Sequence, residues 1–177
     1  MDIDKVLPVL IQEFQKQRID FALIGGLALQ LAGVNRKTHD IDFQVLLKDS
    51  DRIDGIMQGL GYKQLHRTEN VANYQGLAGL GQVDFLFAQR KYSLRMLANA
   101  KTHSVLGLRF KAIRPEDLIG LKVQSSSNDP RRTEQDMLDI KGLLQANAGS
   151  LDLEMIREYF KLFKREKELN KILKAIK

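Results

Sequence analysis

The sequence predicts an α/β (α+β) protein, in which a mixed β-sheet with flanking helices is followed by a helical C-terminal part. Up to residue 114, short apolar runs typical of buried strands alternate with segments whose apolar residues recur at helical spacing. From Pro115 onward, only helical segments and polar connectors follow. We therefore expect an α/β core over residues 1–114 and a helical region over residues 115–177. The helical region should pack on the core, because each of its helices is too short to be stable alone.

The elements of the core follow from the apolar pattern and from the glycines that interrupt it. Helical periodicity predicts helices over residues 6–17, 27–31, 50–60 and 93–100. Short apolar or alternating runs predict strands over residues 21–24, 41–47, 62–65, 71–75, 82–87, 103–106 and 108–113. Glycines at positions 76, 79 and 81 predict a hairpin between the fourth and fifth of these strands, and Gly107 predicts a second hairpin.

The helical region begins at Pro115, which is followed by two acidic residues, as is typical of the first turn of a helix. Helices are predicted over residues 115–125, 131–146, 151–162 and 165–175, and a polar connector, S-S-S-N-D-P, separates the first two. Between Arg157 and Lys177 there are eight basic residues and three glutamates. This pattern is typical of a solvated helix face or of a nucleic-acid-binding surface, and both interpretations stay open.

Composition limits the classes of protein to which the chain can belong. Its 177 residues include no cysteine, which excludes disulfides and thiolate metal sites, and the net charge of +6 is a mild basic excess. The sequence shows neither a secretory signal nor an apolar run of the about 20 residues that a membrane helix needs. We expect a cytoplasmic protein that has no membrane partner.

Two acidic side chains lie close together in the D-I-D triplet of the second predicted strand. Because side chains two residues apart on a strand point to the same face, Asp40 and Asp42 present their carboxylates side by side. Asp84 lies between apolar residues of another predicted strand, and the three carboxylates converge if the two strands are neighbours. Mg²⁺ prefers such ligands, and three of them can hold two ions for phosphoryl transfer. The alternative is that these acidic residues are simply solvated.

A glycine pair, Gly25 and Gly26, joins the first predicted strand to the following helix. Without Cβ atoms, the backbone can approach a phosphate closely and present N–H groups to it. The alternative is a tight strand-to-helix turn. Two common phosphate-binding loops are excluded, because the sequence contains neither G-x-x-x-x-G-K-[ST] nor G-x-G-x-x-G before a helix.

The order Gly25-Gly26, thirteen residues, Asp40-Ile41-Asp42 and finally Asp84 resembles the nucleotidyltransferase superfamily related to DNA polymerase beta, over residues 19–90. The resemblance implies transfer of a nucleoside monophosphate from an NTP to an acceptor hydroxyl, with two Mg²⁺ ions. It implies that Asp40 and Asp42 hold both ions, and that Asp84 holds one ion and helps to deprotonate the acceptor. It also implies that the glycine pair contacts the triphosphate.

The segment over residues 115–144 resembles the helical part of the nucleotidyltransferase toxins of abortive-infection systems and of their small stand-alone relatives. This resemblance implies that Lys122 binds phosphates and that Asp136 orients Lys122 or the acceptor. Arg36 and Thr38 are similar to the segment that such proteins place just before D-x-D, which implies a role in nucleotide binding.

Helical ion pairs offer a structural alternative for the charged residues of this region. One alternative is that Asp136 and Asp139 pair with Arg132 or Lys141 along the helix, as Arg132 and Asp136 can at a spacing of four residues. Another is that Lys122 is a surface residue of its helix. We expect Asp139 to have a structural role.

Three hypotheses for function follow. The first is a Mg²⁺-dependent nucleotidyltransferase, toxin-like or not, whose acceptor is tRNA or another RNA, a protein, or a small molecule. The second is a catalytically silent nucleotide- or RNA-binding module that keeps the fold without turnover. The third is a member of a toxin–antitoxin pair that binds a partner protein through its helical half.

Overall fold

The computed structural model describes residues 1–77, 79–105 and 107–176. The chain divides into two compact units. The first comprises Met1–Ala28 with Lys37–Ile113, and the second comprises Leu29–Arg36 with Arg114–Lys177. The functional division at residues 1–114 and 115–177 stays a prediction. None of the helices in the described ranges is long and apolar enough to cross a bilayer.

Helices and strands alternate through the first part of the chain. The helices are α1 (Ile3–Lys16), α2 (Gly25–Leu31), α3 (Ser50–Gly59) and α4 (Lys91–Ala98). The strands are β1 (Phe21–Leu23), β2 (Asp40–Leu46), β3 (Tyr62–Arg67), β4 (Val71–Gly76), β5 (Gln82–Ala88), β6 (Lys101–Val105) and β7 (Leu108–Ala112). Four helices follow: α5 (Pro115–Asn128), α6 (Thr133–Ala146), α7 (Leu153–Leu162) and α8 (Glu166–Ala175).

The strands form one sheet in the order β3-β4-β5-β2-β1-β7-β6. The β2–β5 and β1–β7 pairs are parallel and the other pairs are antiparallel, so the predicted mixed sheet is confirmed. The predicted hairpin partners β4 with β5 and β6 with β7 pair as expected. The first hairpin loop includes Ala78 and the predicted strand 103–106 includes Leu106, and both residues lie outside the described ranges.

An aromatic cluster on one face of the sheet fixes the central strands. Phe14 of α1 contacts Phe43 of β2 and Phe85 of β5 edge-on, with ring centroids 5.1 and 6.0 Å apart. Tyr74 of β4 packs edge-on against Phe85 at 5.6 Å. Since side chains alternate along a strand, burial of Phe43 and Phe85 turns their neighbours in sequence to the other face. The core therefore determines where the acidic residues of β2 and β5 point.

Tyr74 of β4 is a core residue. Its side chain is fully buried, and its hydroxyl donates to the carboxylate of Asp54. Burial raises the pKa of the Tyr74 phenol above its ordinary value, so the hydroxyl keeps the proton that it donates.

The second unit is built around α5. A Cβ at Gly120 would lie 2.9 Å from the ring of Tyr159, so the glycine allows α7 to pack closely on α5. The Tyr159 hydroxyl donates to Asp117 at 2.6 Å, and Arg114 pairs with the same carboxylate at 3.1 Å. The loop at Val34 packs on α6, where a Cβ at Gly142 would lie 3.0 Å from the Val34 side chain.

Candidate active site

Three carboxylates meet where β2 and β5 run side by side. The two strands are parallel, and Asp42 lies directly opposite Asp84 in the register, while Asp40 lies opposite Gln82. One oxygen atom from each of Asp40, Asp42 and Asp84 lies within 4.8 Å of the others. The convergence that the sequence predicted on condition that the strands are neighbours is therefore present in the first unit.

The donor set suits a hard divalent cation. All three carboxylates are half-buried, so an ion can reach them from solvent. Carboxylate oxygens are the preferred ligands of Mg²⁺, and a cation offsets the repulsion between neighbouring negative charges. The residues present therefore fit the metal that the sequence implied.

Neutral side chains donate hydrogen bonds to two of the carboxylates. The hydroxyl of Thr38 donates to Oδ1 of Asp40. Asn73 Nδ2 donates to Oδ1 of Asp84 at 2.8 Å, and Gln82 Nε2 lies 3.0 and 2.9 Å from the two oxygens of the same carboxylate. Neither amide was predicted from the sequence, although Gln82 stands two residues before Asp84 and thus on the same face of the strand.

The glycine pair packs directly against this cluster. Gly25 has a φ of +62°, and a Cβ built on it would overlap Oδ2 of Asp42 and lie 2.5 Å from Cγ. A Cβ on Gly26 would lie 2.5 Å from Cβ of Thr38. The glycines are therefore required by close packing whatever else they do. Their predicted contact with a triphosphate stays a prediction.

A second charged cluster lies in the second unit. Lys122 of α5 is nearly buried, and its Nζ lies 3.2 Å from Oδ1 of Asp136 and 2.8 Å from Oδ2 of Asp139, both on α6. The two acidic side chains are 0% and 2% exposed. The surface position considered for Lys122 is therefore wrong, because its ammonium group is enclosed by two carboxylates.

Two arginines and a glutamine complete this second cluster. Arg36 Nε lies 3.6 Å from Oδ1 of Asp139, and Gln135 donates to the same oxygen at 2.9 Å. Arg132 Nε lies 3.6 Å from Oδ2 of Asp136 at the helical spacing expected from the sequence. These contacts account for the burial of the carboxylates, since a buried charge requires a partner.

In the part of the chain that the structure describes, the predicted site residues thus form two groups. The first group consists of the three carboxylates of Asp40, Asp42 and Asp84. Thr38 and the glycine pair pack against these carboxylates. Lys122, Asp136 and Arg36 belong to the second, where Asp139 is the common partner of Lys122 and Arg36. The roles of all these residues in binding and catalysis stay predictions.

Comparison with protein families matches residues 91–177 to the family described as "Nucleotidyl transferase of unknown function (DUF2204)". None of the curated proteins matches this sequence significantly.

Solved structures match between 78% and 98% of the chain. The antibiotic-resistance factor ANT(2'')-Ia superposes with a TM-score of 0.69 and 14% identity over 97% of both chains. An antigenic nucleotidyltransferase-like protein from Paracoccidioides brasiliensis superposes with a TM-score of 0.62 and 19% identity, over 98% of this chain and 93% of the other. The lincosamide antibiotic adenylyltransferase LnuA superposes with a TM-score of 0.58 and 17% identity, over 78% of this chain and 94% of LnuA. At these identities the comparisons establish the fold.

Proposed function

We propose that this chain, which has the fold of the nucleotidyltransferase superfamily, is a Mg²⁺-dependent nucleotidyltransferase. It would move a nucleoside monophosphate from an NTP to an acceptor hydroxyl. The observation that carries the proposal is the convergence of Asp40, Asp42 and Asp84 within 4.8 Å on two parallel strands. A protein that only binds nucleotides has little use for three converging acidic side chains.

The three carboxylates have distinct parts in this proposal. Asp40 and Asp42 would hold both Mg²⁺ ions and Asp84 one of them. When bound, the ions would supply positive charge to the phosphates and to the leaving pyrophosphate. The acceptor oxygen forms a bond to the α-phosphorus as the bond from that phosphorus to the pyrophosphate oxygen breaks. The electron pair of the broken bond would leave with pyrophosphate. The acceptor proton would pass to solvent, helped by Asp84 through the ion that this carboxylate would hold.

The remaining predicted residues would serve the nucleotide. Gly25 and Gly26 would present backbone to the triphosphate, and Thr38 would keep Asp40 oriented through its hydroxyl. A phosphate role for Lys122 and Arg36, and an orienting role for Asp136, rest on the resemblance. Lys122 carries three N–H groups. One donates to Oδ1 of Asp136 at 3.2 Å and the ammonium also lies 2.8 Å from Oδ2 of Asp139, so at least one N–H is left for a phosphate oxygen.

The acceptor class is a further part of the proposal. One similar structure is named as a lincosamide antibiotic adenylyltransferase and another as an antibiotic-resistance factor, ANT(2'')-Ia, which has been solved with adenylyl-2''-tobramycin. A hydroxylated small molecule is therefore the acceptor class to test first, ahead of tRNA, other RNA and protein. The toxin-like activity inferred from sequence remains an alternative of this same chemistry.

The test is a transfer assay with each labelled NTP, Mg²⁺ and separate pools of hydroxylated small molecules, RNA and protein. We expect label to move to one pool, and we expect the Asp40→Asn, Asp42→Asn double variant to lose transfer. Glu69→Gln, which removes an exposed carboxylate elsewhere in the first unit, should behave like the wild type. Transfer by the double variant at the wild-type rate would refute the assignment of the site.

A nucleotide- or RNA-binding module without turnover is the second candidate. It is favoured by five exposed lysines on α7, on α8 and on the connection between them: Lys161, Lys164, Lys167, Lys171 and Lys174. Arg165 is not available to this surface, since its guanidinium donates to Ser126 Oγ at 2.7 Å and to the Val123 carbonyl at 3.2 Å. Calorimetry that detects RNA binding without Mg²⁺, in the absence of any transfer, would favour this candidate. A partner protein bound in a toxin–antitoxin pair remains the third hypothesis.

A further inference from the structure

We propose that Asn73 and Gln82 are positioning residues that fix the carboxylate of Asp84 for a divalent cation. The inference rests on the proposed function, since it assigns a task to two residues beside the same cluster. We call these two residues the amide clamp.

The amide clamp holds Asp84 through both of its oxygens. Asn73 Nδ2 lies 2.8 Å from Oδ1, and Gln82 Nε2 lies 3.0 Å from Oδ1 and 2.9 Å from Oδ2. These are good hydrogen-bond distances for N–H donors. Two donors approaching from different strands leave the carboxylate little freedom to rotate.

Counting lone pairs shows which oxygen stays available. An ionised carboxylate offers about four acceptor positions, two on each oxygen. The amide clamp occupies two positions on Oδ1 and one on Oδ2. The free position on Oδ2 is therefore the one that a cation would take.

The fold makes the amide clamp rigid. Asn73 and Asp84 are directly opposed in the antiparallel β4–β5 pair, and Gln82 stands two residues before Asp84 on β5. The residues that alternate with them, Tyr74 and Val83, are fully buried in the core. A slip of the register would bury the polar residues and expose the core, so the amides are held at the carboxylate.

Amide donors suit a cation ligand because they carry no charge. Among the described residues, no lysine or arginine forms an ion pair with Asp84, whereas Asp139 is paired with Lys122 and Arg36. A cationic partner would fix Asp84 equally well but would offset the charge that attracts an ion. The amide clamp fixes the carboxylate and leaves its negative charge in place.

The test measures Mn²⁺ binding to the full chain by calorimetry, with no nucleotide present. Asn73→Leu and Gln82→Met each remove a donor at similar volume, and Gln75→Met is the matched control. Gln75 lies on the same strand and face as Asn73 but is exposed, and its amide donates to the Gly76 carbonyl. Loss of a residue that orients a metal ligand typically weakens binding about 10- to 100-fold. We expect that loss in both clamp variants, with unchanged thermal midpoints, and wild-type affinity in Gln75→Met.

Wild-type Mn²⁺ affinity in Gln82→Met would overturn the inference, whether or not Asn73→Leu folds. A wild-type protein that binds no Mn²⁺ would overturn it as well. If the clamp variants lose affinity as expected but the wild type transfers no nucleotide to any acceptor, the inference stands and the proposed function fails.

Discussion

A Cβ atom on Gly25 would overlap Oδ2 of Asp42. The built atom would also lie 2.5 Å from Cγ and 2.9 Å from Cβ of the aspartate, and Gly25 has a φ of +62°. The backbone N–H of the preceding Ile24 donates to the Asp42 carbonyl at 3.0 Å. The strand-to-helix turn and the acidic strand are thus in direct contact, and a glycine is the residue that permits it.

Gly25→Ala should destabilise the protein and disrupt the acidic cluster. The left-handed conformation costs a residue with a Cβ about 1–2 kcal/mol, and displacement of Asp42 adds to this. We expect a lower unfolding midpoint and weaker Mn²⁺ binding. Chemical denaturation and calorimetry measure the two effects.

The matched control for this variant is Gly55→Ala in the exposed middle of α3. Apart from the backbone of α3 itself and the two neighbouring residues, no atom of the described part of the chain lies within 4 Å of a Cβ built there. Alanine is preferred over glycine inside a helix by about 0.5–1 kcal/mol, so this variant should be slightly more stable than the wild type. Equal stability of the two alanine variants would contradict the steric account of Gly25.

Mg²⁺ should stabilise the wild-type protein against unfolding, because the acidic cluster forms only in the folded state. A ligand present at one hundred times its dissociation constant stabilises by about 2.7 kcal/mol. In Asp84→Asn, the rise of the unfolding midpoint with Mg²⁺ should be largely lost. Differential scanning calorimetry across a Mg²⁺ series measures this, with Glu69→Gln as the variant that should respond like the wild type. A midpoint that rises equally in Asp84→Asn would show that the ion binds elsewhere.

Lys122→Met should destabilise the protein strongly, whatever Lys122 does with phosphates. It would leave the 0%-exposed Asp136 and the 2%-exposed Asp139 without their shared lysine. Removing one partner of a buried ion pair costs about 3–5 kcal/mol. Lys141→Met, at an exposed position of α6, should change the free energy of unfolding by less than about 0.5 kcal/mol.

A double-mutant cycle tests the origin of that loss. In the Lys122→Met background, Asp139→Asn should be less damaging than in the wild type, because it removes one of the stranded charges. Additive free energies in urea denaturation would mean that Lys122 and Asp139 do not interact, against the 2.8 Å contact.

Periodicity was sufficient to predict the parts of the site that depend on local geometry. The shared face of Asp40 and Asp42 follows from the two-residue repeat of a strand. The flanking apolar residues of Asp84 place it on the corresponding face of β5, because Val83 and Phe85 are drawn into the core. Both hairpins were predictable from the same periodicity and from the glycines between the strands, whereas the mixed sheet followed from the resemblance.

The parts that the sequence left open depend on pairing between distant segments. Asn73 meets Asp84 only because β4 and β5 pair in one particular register, and a different loop length would place another residue there. The burial of Lys122 requires α5 and α6 to pack so that two acidic residues face one lysine. Helical spacing at the start of α6 predicts the Arg132–Asp136 pair. It does not predict which side chains of another helix contact Asp136.

The side chain of Gln44 should lower the stability of the protein. It is fully buried on β2, two residues beyond Asp42, and neither atom of its amide has a hydrogen-bond partner in the described part of the chain. Its neighbours in the adjacent strands are Ala22 and Leu86, which offer apolar side chains. A buried polar group without a partner costs about 1–3 kcal/mol.

Gln44→Met keeps a similar length and removes both polar atoms, so it should raise the free energy of unfolding by about 1 kcal/mol or more. Urea denaturation measures the change. Gln75→Met, at an exposed position, should stay within about 0.5 kcal/mol of the wild type. Because Gln44 has no bond to the carboxylates among the described contacts, Mn²⁺ affinity should be unchanged. A loss of stability in Gln44→Met would contradict the account of Gln44 as a buried amide without a partner.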